Sequence, residues 1–290
     1  MCDQTTERDI DAAFGNALTR RRFTAVTAAA AAAAIMPRAK GAPAVTGQDV
    51  TVETPDGQAD CYFAHPAAGR HAGVIVWPDI LGLRPAFRTM GDRLASSGYA
   101  VLVVNPYYRQ AQAPVVPEGA SFRDAATRET VMPLYQSLSA DGNVTDAKAF
   151  VTFLDAQPAV DTARKIGTTG YCMGGPMTMR TAAAVPDRIG AGASFHGGGL
   201  ATGDESSPHL LVPKMRASFL FAIAENDDEN DPEAKVKLRE AFDAANLGAE
   251  IEVYAGALHG WCPPDSAVYN EEQAERAWAR LLALFEGALG

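Results

Sequence analysis

One six-residue turn constrains the fold of this 290-residue chain more than any other stretch of its sequence. The turn reads Gly170-Tyr171-Cys172-Met173-Gly174-Gly175 and lies between a short β-like run at 165–169 and a helix-like run at 176–184. A strand that passes directly into a helix needs a tight turn, and glycine tolerates the backbone conformations that such a turn demands. Cys172 is therefore predicted to lie in strained backbone where the helix begins.

The position of Cys172 has two interpretations. Free N–H groups and the positive end of the dipole at a helix N-terminus favour a thiolate, and a glycine-flanked turn of this kind is typical of a nucleophile elbow. The alternative is a buried core cysteine, because free cysteine is among the most buried residue types. The flanking glycines and the change from strand to helix favour the nucleophile. The spacing of the four cysteines indicates neither a metal site nor a disulfide framework: Cys2, Cys61, Cys172 and Cys262.

The rest of the chain predicts an α/β-hydrolase fold, with a mostly parallel central sheet and helices on both faces. An opening hairpin around Asp56-Gly57 is followed by apolar strand-like runs that alternate with amphipathic helical runs over 45–290, which we interpret as one domain. In such sheets the site lies at the carboxyl ends of the strands. That rule selects six positions, which are Asp79, Tyr107, Cys172, His196, Asp227 and His259.

A thiol nucleophile needs a base and an acid that orients the base. His259 follows the last predicted strand, where this fold places its base; the alternative is an ordinary loop histidine. The predicted acidic loop 225–229 follows an earlier strand and favours Asp227 as the acid, with Asp228 as its rival. The oxyanion hole is predicted to use the backbone N–H groups of Met173 and Ile80.

These pieces together resemble the dienelactone hydrolase family over about residues 50–289. The resemblance rests on the six-residue turn and on four further runs, which are Trp77-Pro78-Asp79-Ile80-Leu81-Gly82-Leu83, Ser194-Phe195-His196-Gly197-Gly198, Ala224-Glu225-Asn226-Asp227 and Tyr254-Ala255-Gly256-Ala257-Leu258-His259-Gly260-Trp261. The resemblance implies a Cys-Asp-His triad that hydrolyses lactones or esters through a thioester and uses no cofactor or metal. The implied partner is a small-molecule ester or lactone.

Two departures from the family pattern concern the nucleophile and the substrate. The best-known members carry a glutamate where Asp79 stands, and that glutamate restrains and activates the cysteine. Asp79 is one methylene shorter, and it is either a nucleophile-tuning residue in place of that glutamate or an ordinary loop residue. The best-known members also carry an arginine after the catalytic histidine that binds a substrate carboxylate, whereas the run 260–265 has none. Arg109 is the candidate replacement cation, unless it is a surface residue. Tyr107, His196 and Trp261 are candidate substrate-binding or tuning residues, although packing would also explain the tryptophan.

Two functions of other classes remain open at this point. A fold does not fix a function, so a non-hydrolytic binding protein on the same fold is one alternative. A thiol redox protein that uses Cys172 with Cys262 is the other. The net charge of −10 and the lack of a basic patch after the N-terminus argue against a nucleic-acid partner. A monomer or a dimer is expected.

Residues 1–44 resemble a twin-arginine export signal. The run Thr19-Arg20-Arg21-Arg22-Phe23 precedes an alanine-rich apolar stretch, and Ala42-Pro43-Ala44 offers a small-x-small cleavage site. This order predicts a periplasmic or exported protein with no stable membrane association after the signal is removed. The alternative is a cytoplasmic protein with an N-terminal extension.

The paired arginines provide a direct test of export. Replacing both Arg20 and Arg21 by lysine should retain full-length protein inside the cell, because the export machinery reads the arginine pair. Cell fractionation followed by immunoblotting measures the outcome, with Arg38→Lys as a control that leaves the pair intact. Mature protein outside the cytoplasm in the double variant would contradict the prediction.

Overall fold

The computed structural model describes residues 44–290 and shows a single eight-stranded sheet within that range. Its strands are β1 Val45–Thr54, β2 Gly57–Pro66, β3 Gly73–Trp77, β4 Ala100–Val104, β5 Ile166–Tyr171, β6 Ile189–Phe195, β7 Ser218–Ala224 and β8 Ala249–Tyr254. They lie in the order β1-β2-β4-β3-β5-β6-β7-β8. β1 pairs with β2 and β2 with β4 in antiparallel fashion, and the remaining pairs are parallel.

The burial of the strands explains why the apolar runs form the centre of the sheet. Every residue of β3, β4 and β5 is buried, as expected for parallel strands that are covered on both faces. The predicted opening hairpin is confirmed, with Thr54 opposite Gly57 across the turn. Gly57 has a φ of +138°, a conformation that a residue with a side chain rarely adopts.

Seven α-helices of the described chain cover the sheet: α1 Pro85–Ser96, α2 Ala125–Gln136, α3 Ala140–Asp155, α4 Gly174–Ala184, α5 Glu225–Asn230, α6 Glu233–Ala244 and α7 Glu271–Ala288. A 3₁₀ helix spans Pro208–Lys214. One core contains Phe150 of α3, Met177 of α4 and Phe242 of α6. The opposite core contains Phe87 of α1 and Phe285 of α7. The helices therefore lie on both faces, which confirms the predicted α/β-hydrolase architecture.

Three helical segments differ from the prediction. The sequence pattern did not indicate α2, whose interior contains Pro133, a residue that normally disfavours a helix. The sequence pattern predicts a helix from Asp146 to Ala156, whereas α3 already begins at Ala140, where the Ser139 hydroxyl accepts a hydrogen bond from the Gly142 N–H and caps the N-terminus. The predicted loop after β7 is the short helix α5. Its acidic first turn is stabilised by the positive end of the helix dipole.

The parallel strands all end at one edge of the sheet, and this edge receives the loops that the sequence selected. The segments after β3, β5, β6 and β8 carry Asp79, Cys172, His196 and His259, and these four residues border one cavity. Within residues 44–290 no helix has the length and apolarity needed to cross a membrane. The predicted export signal lies almost entirely outside the described residues and stays a prediction.

Candidate active site

Close backbone contacts shape the turn between β5 and α4. A Cβ on Gly170 would lie 2.1 Å from the Gly174 carbonyl oxygen, and one on Gly174 would lie 2.3 Å from the Trp77 carbonyl oxygen. Both distances are too short for any side chain, so glycine is required at each position. Cys172 at the apex has a φ of +52°, in the left-handed region that residues with a side chain seldom adopt. A strained apex between a strand and a helix is typical of a nucleophile elbow.

Cys172 lies where two cavities meet. The side chain is only 5% exposed, and its backbone N–H donates a 3.0 Å hydrogen bond to the Phe195 carbonyl oxygen. A smaller cavity of about 220 Å³ extends from Cys172 toward His259, and a larger one of about 830 Å³ extends along α4. Ile80 and Phe122 border both cavities as well. A substrate therefore has room on two sides of the thiol.

The structure brings Cys172, His259 and Asp227 together. Nδ1 of His259 lies 2.9 and 2.8 Å from the two carboxylate oxygens of Asp227, and the same imidazole forms a hydrogen bond with the Cys172 side chain. Asp228 is occupied elsewhere, because Nζ of Lys235 binds its two oxygens at 2.6 and 2.5 Å. Of the two candidate acids, only Asp227 contacts the imidazole in this structure.

The surroundings of His259 stabilise its charged form. Burial alone would lower the pKa of this imidazole, but the negative charges of Asp227 and Cys172 raise the pKa well above its ordinary value of 6.5. The side chain is 6% exposed, so water screens these interactions poorly. An imidazolium beside Cys172 favours the thiolate form of the sulfur.

A hydrogen-bonded connection between α5 and the loop after β8 fixes the position of His259. The Asn226 side-chain oxygen accepts a 2.9 Å hydrogen bond from the His259 backbone N–H. Glu225 binds the same loop twice: its N–H donates to the Ala257 carbonyl at 2.9 Å and its carboxylate accepts from the Gly256 N–H at 3.1 Å. Sequence reasoning missed Asn226, although it directly precedes Asp227 in the acidic run.

Tyr107 links the two segments predicted to form the oxyanion hole. Its buried hydroxyl donates a 2.8 Å hydrogen bond to the Ile80 carbonyl oxygen and lies 3.1 Å from Sδ of Met173. Ile80 and Met173 both border the larger cavity beside Cys172. Tyr107 borders neither cavity that contains Cys172, so it supports these two segments from behind.

Asp79 forms a buried ion pair with Arg84, which also binds the more exposed Asp265, and the sequence did not reveal this cluster. Arg84 donates to both carboxylate oxygens of Asp79, at 2.6 and 2.9 Å, and to both oxygens of Asp265, at 2.7 and 2.9 Å. The Leu81 N–H also donates to Asp79 at 2.9 Å. Asp79 therefore borders the cavity near Cys172, and its negative charge is compensated by the bidentate interaction with Arg84. The available sequence signal was weak, because Arg84 and Asp265 are 181 residues apart.

Two other predicted site residues lie away from the cavities of Cys172. Arg109 pairs with Asp56 and Asp146, each at 2.6 Å, and borders a separate small cavity beside α3. This is a correction to the prediction of a substrate-binding cation. Trp261 is fully buried in the core on the α7 face, stacked on Tyr254, so it packs the fold and does not line the pocket.

His196 does border the smaller cavity, and its environment is unusual. The residue is 0% exposed with a φ of +41°, and neither ring nitrogen has a hydrogen-bond partner among residues 44–290. Its ring lies 5.1 Å from that of His259, edge to face. Burial, followed by the charge of His259, lowers the pKa of His196 well below 6.5, so its ring is neutral.

The other described cysteines are poorly suited to chemistry. Burial raises the pKa of Cys61 to about 12 and that of Cys262 well above its usual range, which keeps both as thiols. Cys262 borders a different cavity from Cys172. This arrangement gives no support to a redox pair of Cys172 and Cys262.

Comparison with known proteins identifies the family of this chain. The model of the dienelactone hydrolase family matches residues 59–289. The chain belongs to the dienelactone hydrolase family. This membership makes it a hydrolase of the lactone and ester class. It also confirms the family that the sequence motifs indicated.

Two relatives match most of this chain, and a solved structure shares its fold. A Synechocystis sp. protein named by inference as a carboxymethylenebutenolidase is 29% identical, over 83% of this chain and 96% of its own. The carboxymethylenebutenolidase of Pseudomonas sp. is 25% identical, over 79% of this chain and 90% of its own. A Klebsiella pneumoniae crystal structure named by inference as a dienelactone hydrolase shares the fold with a TM-score of 0.72 at 24% identity, over 84% and 99% of the two chains.

The cluster around Arg84 gives a prediction about stability. Arg84→Met should lower the free energy of unfolding by about 3–5 kcal/mol, because the buried Asp79 would lose the cation that compensates its charge. Urea denaturation measures this change. Arg216→Met is the matched control, since the Arg216 pair with Asp187 is exposed and should contribute less than about 1 kcal/mol. Equal losses in the two variants would contradict a structural role for the cluster.

Proposed function

We propose that this hydrolase cleaves a lactone or carboxylic ester through a thioester on Cys172, with His259 as base and Asp227 as the acid that orients it. One observation carries the proposal: the imidazole of His259 contacts both the Cys172 side chain and the Asp227 carboxylate, beside two cavities. A thiol nucleophile, a base within hydrogen-bonding reach and an orienting carboxylate are the parts that acyl transfer requires.

The reaction has two halves. The Cys172 thiolate attacks the substrate carbonyl carbon and forms a C–S bond, while the N–H groups of Ile80 and Met173 stabilise the oxyanion. The C–O bond to the leaving group then breaks, and the His259 imidazolium gives that alkoxide its proton. Neutral His259 next takes a proton from water, whose oxygen attacks the thioester. Collapse releases the acid and restores the thiolate–imidazolium pair.

Asp79 takes a structural part in this proposal. Its two oxygens bind Arg84, so the charge it presents to the thiol is largely compensated. A free carboxylate near Cys172 would oppose formation of the thiolate. We therefore infer that Asp79 shapes the wall of the smaller cavity together with Arg84, and that Asp227 is the acid of the catalytic group.

Cysteine variants test the nucleophile. Cys172→Ala should abolish both turnover of nitrophenyl esters and the initial burst of nitrophenol, because no other described thiol has a comparable setting. Cys172→Ser should be far slower than the wild-type enzyme, since a hydroxyl is much less acidic than a thiol. Cys61→Ala serves as the control and should keep both the burst and the turnover. Full activity in Cys172→Ala would refute the proposed mechanism.

Variants of the two neighbouring aspartates test the acid. Asp227→Asn should lower kcat/KM by up to about 10⁴-fold, because the amide does not stabilise the imidazolium. Asp228→Asn is the matched control and should change kcat/KM little, as Asp228 binds Lys235.

The pH dependence of kcat/KM should also differ between Asp227→Asn and Asp228→Asn. The Asp227 carboxylate raises the pKa of His259, so its loss should lower that pKa. The imidazolium that protonates the leaving group would then lose its proton at a lower pH. The alkaline limb of the plot of kcat/KM against pH should therefore shift to lower pH. Residual kcat/KM measured against pH gives the shift, and an alkaline limb that stays in place would contradict the role of Asp227.

A further inference from the structure

The larger cavity beside Cys172 carries positive charge without an acidic residue in its wall. Its lining contains two arginines, Arg128 and Arg180, and no aspartate or glutamate. Apolar side chains from three segments form much of the remaining wall, namely Ile80, Phe122, Met132, Leu138, Met173 and Met177. An apolar wall that also contains a guanidinium suits a ligand that combines hydrocarbon with an anionic group.

Arg180 is the unusual residue of this wall. It follows Met173 and Met177 on one face of α4, at helical spacings of four and three residues, and all three border the cavity. Its Nε atom is buried and has no hydrogen-bond partner, and no carboxylate of residues 44–290 pairs with its guanidinium. The guanidinium is partly removed from water, and this burial lowers the pKa of Arg180.

Several other arginines that are buried or partly buried in the described chain have acidic partners. Arg84 binds Asp79 and Asp265, and Arg188 binds Asp155 at 2.6 Å. These pairs show how this fold normally compensates a guanidinium removed from water. An uncompensated charge at Arg180 costs free energy in the unliganded protein, and an anionic ligand would recover it.

Asn143 of α3 provides a second, independent observation. Its side chain is in the wall of the same cavity and is 5% exposed, yet neither its amide nitrogen nor its amide oxygen has a partner within residues 44–290. Buried polar groups are almost always hydrogen-bonded, and an unpaired donor and acceptor in a cavity wall indicate a place for a polar ligand. The two side chains come from different helices and border one cavity.

We propose that the larger cavity binds the end of the substrate that carries a carboxylate, with Arg180 as the charged partner of that carboxylate and Asn143 as a hydrogen-bonding partner. The guanidinium is always charged and its planar donors match a carboxylate in a bidentate manner. This inference rests on the proposed function, because it places the scissile carbonyl at Cys172. The substrate class is an ester or lactone with a separate carboxylate.

The position of Arg180 determines how far the carboxylate of that substrate lies from its scissile carbonyl. Arg180 lies six residues after the start of α4, which is about 9 Å along the helix axis. The carboxylate must therefore be separated from the scissile carbonyl by several bonds. The site also lies on the α4 side of Cys172, away from the segment after His259 where the family resemblance implies a carboxylate-binding arginine. Half-esters of medium-chain dicarboxylic acids meet these requirements, with apolar methylenes along the methionine wall.

Two nitrophenyl esters of equal acyl length test the proposal in the full chain. One is the mononitrophenyl ester of adipic acid, whose far end is a carboxylate, and the other is the same ester with that end capped as a methyl ester. The measured quantity is kcat/KM for the anionic ester divided by kcat/KM for the neutral ester. This ratio should be about 10- to 100-fold higher in the wild-type enzyme than in Arg180→Gln, which corresponds to the free energy of a hydrogen bond to a charged group. Arg180→Lys should keep part of the preference, and added salt should reduce it in the wild-type enzyme.

Arg216→Gln is the matched control, because it removes one arginine from an exposed pair and should leave the ratio unchanged. A binding measurement separates the subsite from the chemistry. In a Cys172→Ala background, adipate should raise the melting temperature, and Arg180→Gln added to that background should abolish the rise. Circular dichroism confirms that each variant is folded.

The outcomes distinguish the subsite from the catalytic mechanism. Turnover of the neutral ester by wild-type protein but not by Cys172→Ala, together with the loss of preference in Arg180→Gln, supports both proposals. The same turnover with an equal ratio in wild-type and Arg180→Gln proteins refutes the carboxylate subsite alone. Full turnover in Cys172→Ala refutes the thioester mechanism, and adipate binding that depends on Arg180 would still support the subsite.

Discussion

The site depends on the close approach between the start of α4 and the carboxyl end of β3. A Cβ on Gly174 would lie 2.3 Å from the Trp77 carbonyl oxygen, so the two segments meet only because that side chain is absent. This contact brings the segment of Ile80 beside Met173 and holds Cys172 in its left-handed conformation at the apex of the turn. The packing of the fold therefore stabilises the strain at Cys172, which is the usual reason that such strain persists.

The charged residues of the site form two groups of three, and each group has one cation at its centre. His259 after β8 lies between Cys172 and Asp227, and Arg84 of the segment before α1 lies between Asp79 and Asp265. In both groups a cation lies between two acidic groups, which offsets part of the cost of removing the buried members, Cys172 and Asp79, from water. The second group leaves Arg84 with no carboxylate-binding capacity for a substrate, since both of its partners bind it in a bidentate manner.

Local sequence patterns predicted the parts of the site that depend on chain order, and missed those that depend on long-range packing. The turn around Cys172 and the order of Cys172, Asp227 and His259 follow from short motifs and strand positions. Arg84 and Asp265 were missed, because their pairing joins residues 181 positions apart and neither lies in a recognisable motif. Arg109 was assigned to the pocket from its place after β4, but the electrostatic attraction of Asp56 and Asp146 holds it elsewhere.

The different environments of the three arginines explain which one is suited to substrate. Arg84 and Arg109 each bind two carboxylates of the protein, so their charges are already compensated. Arg180 is partly removed from water on α4 and no carboxylate of residues 44–290 compensates it. A protein gains stability by compensating such a charge internally, as it does at Arg84. At Arg180 the charge is uncompensated, and it lies in the wall of a cavity that reaches Cys172. The charge is therefore available to attract an anionic ligand, and this is the physical basis for assigning a carboxylate to the substrate.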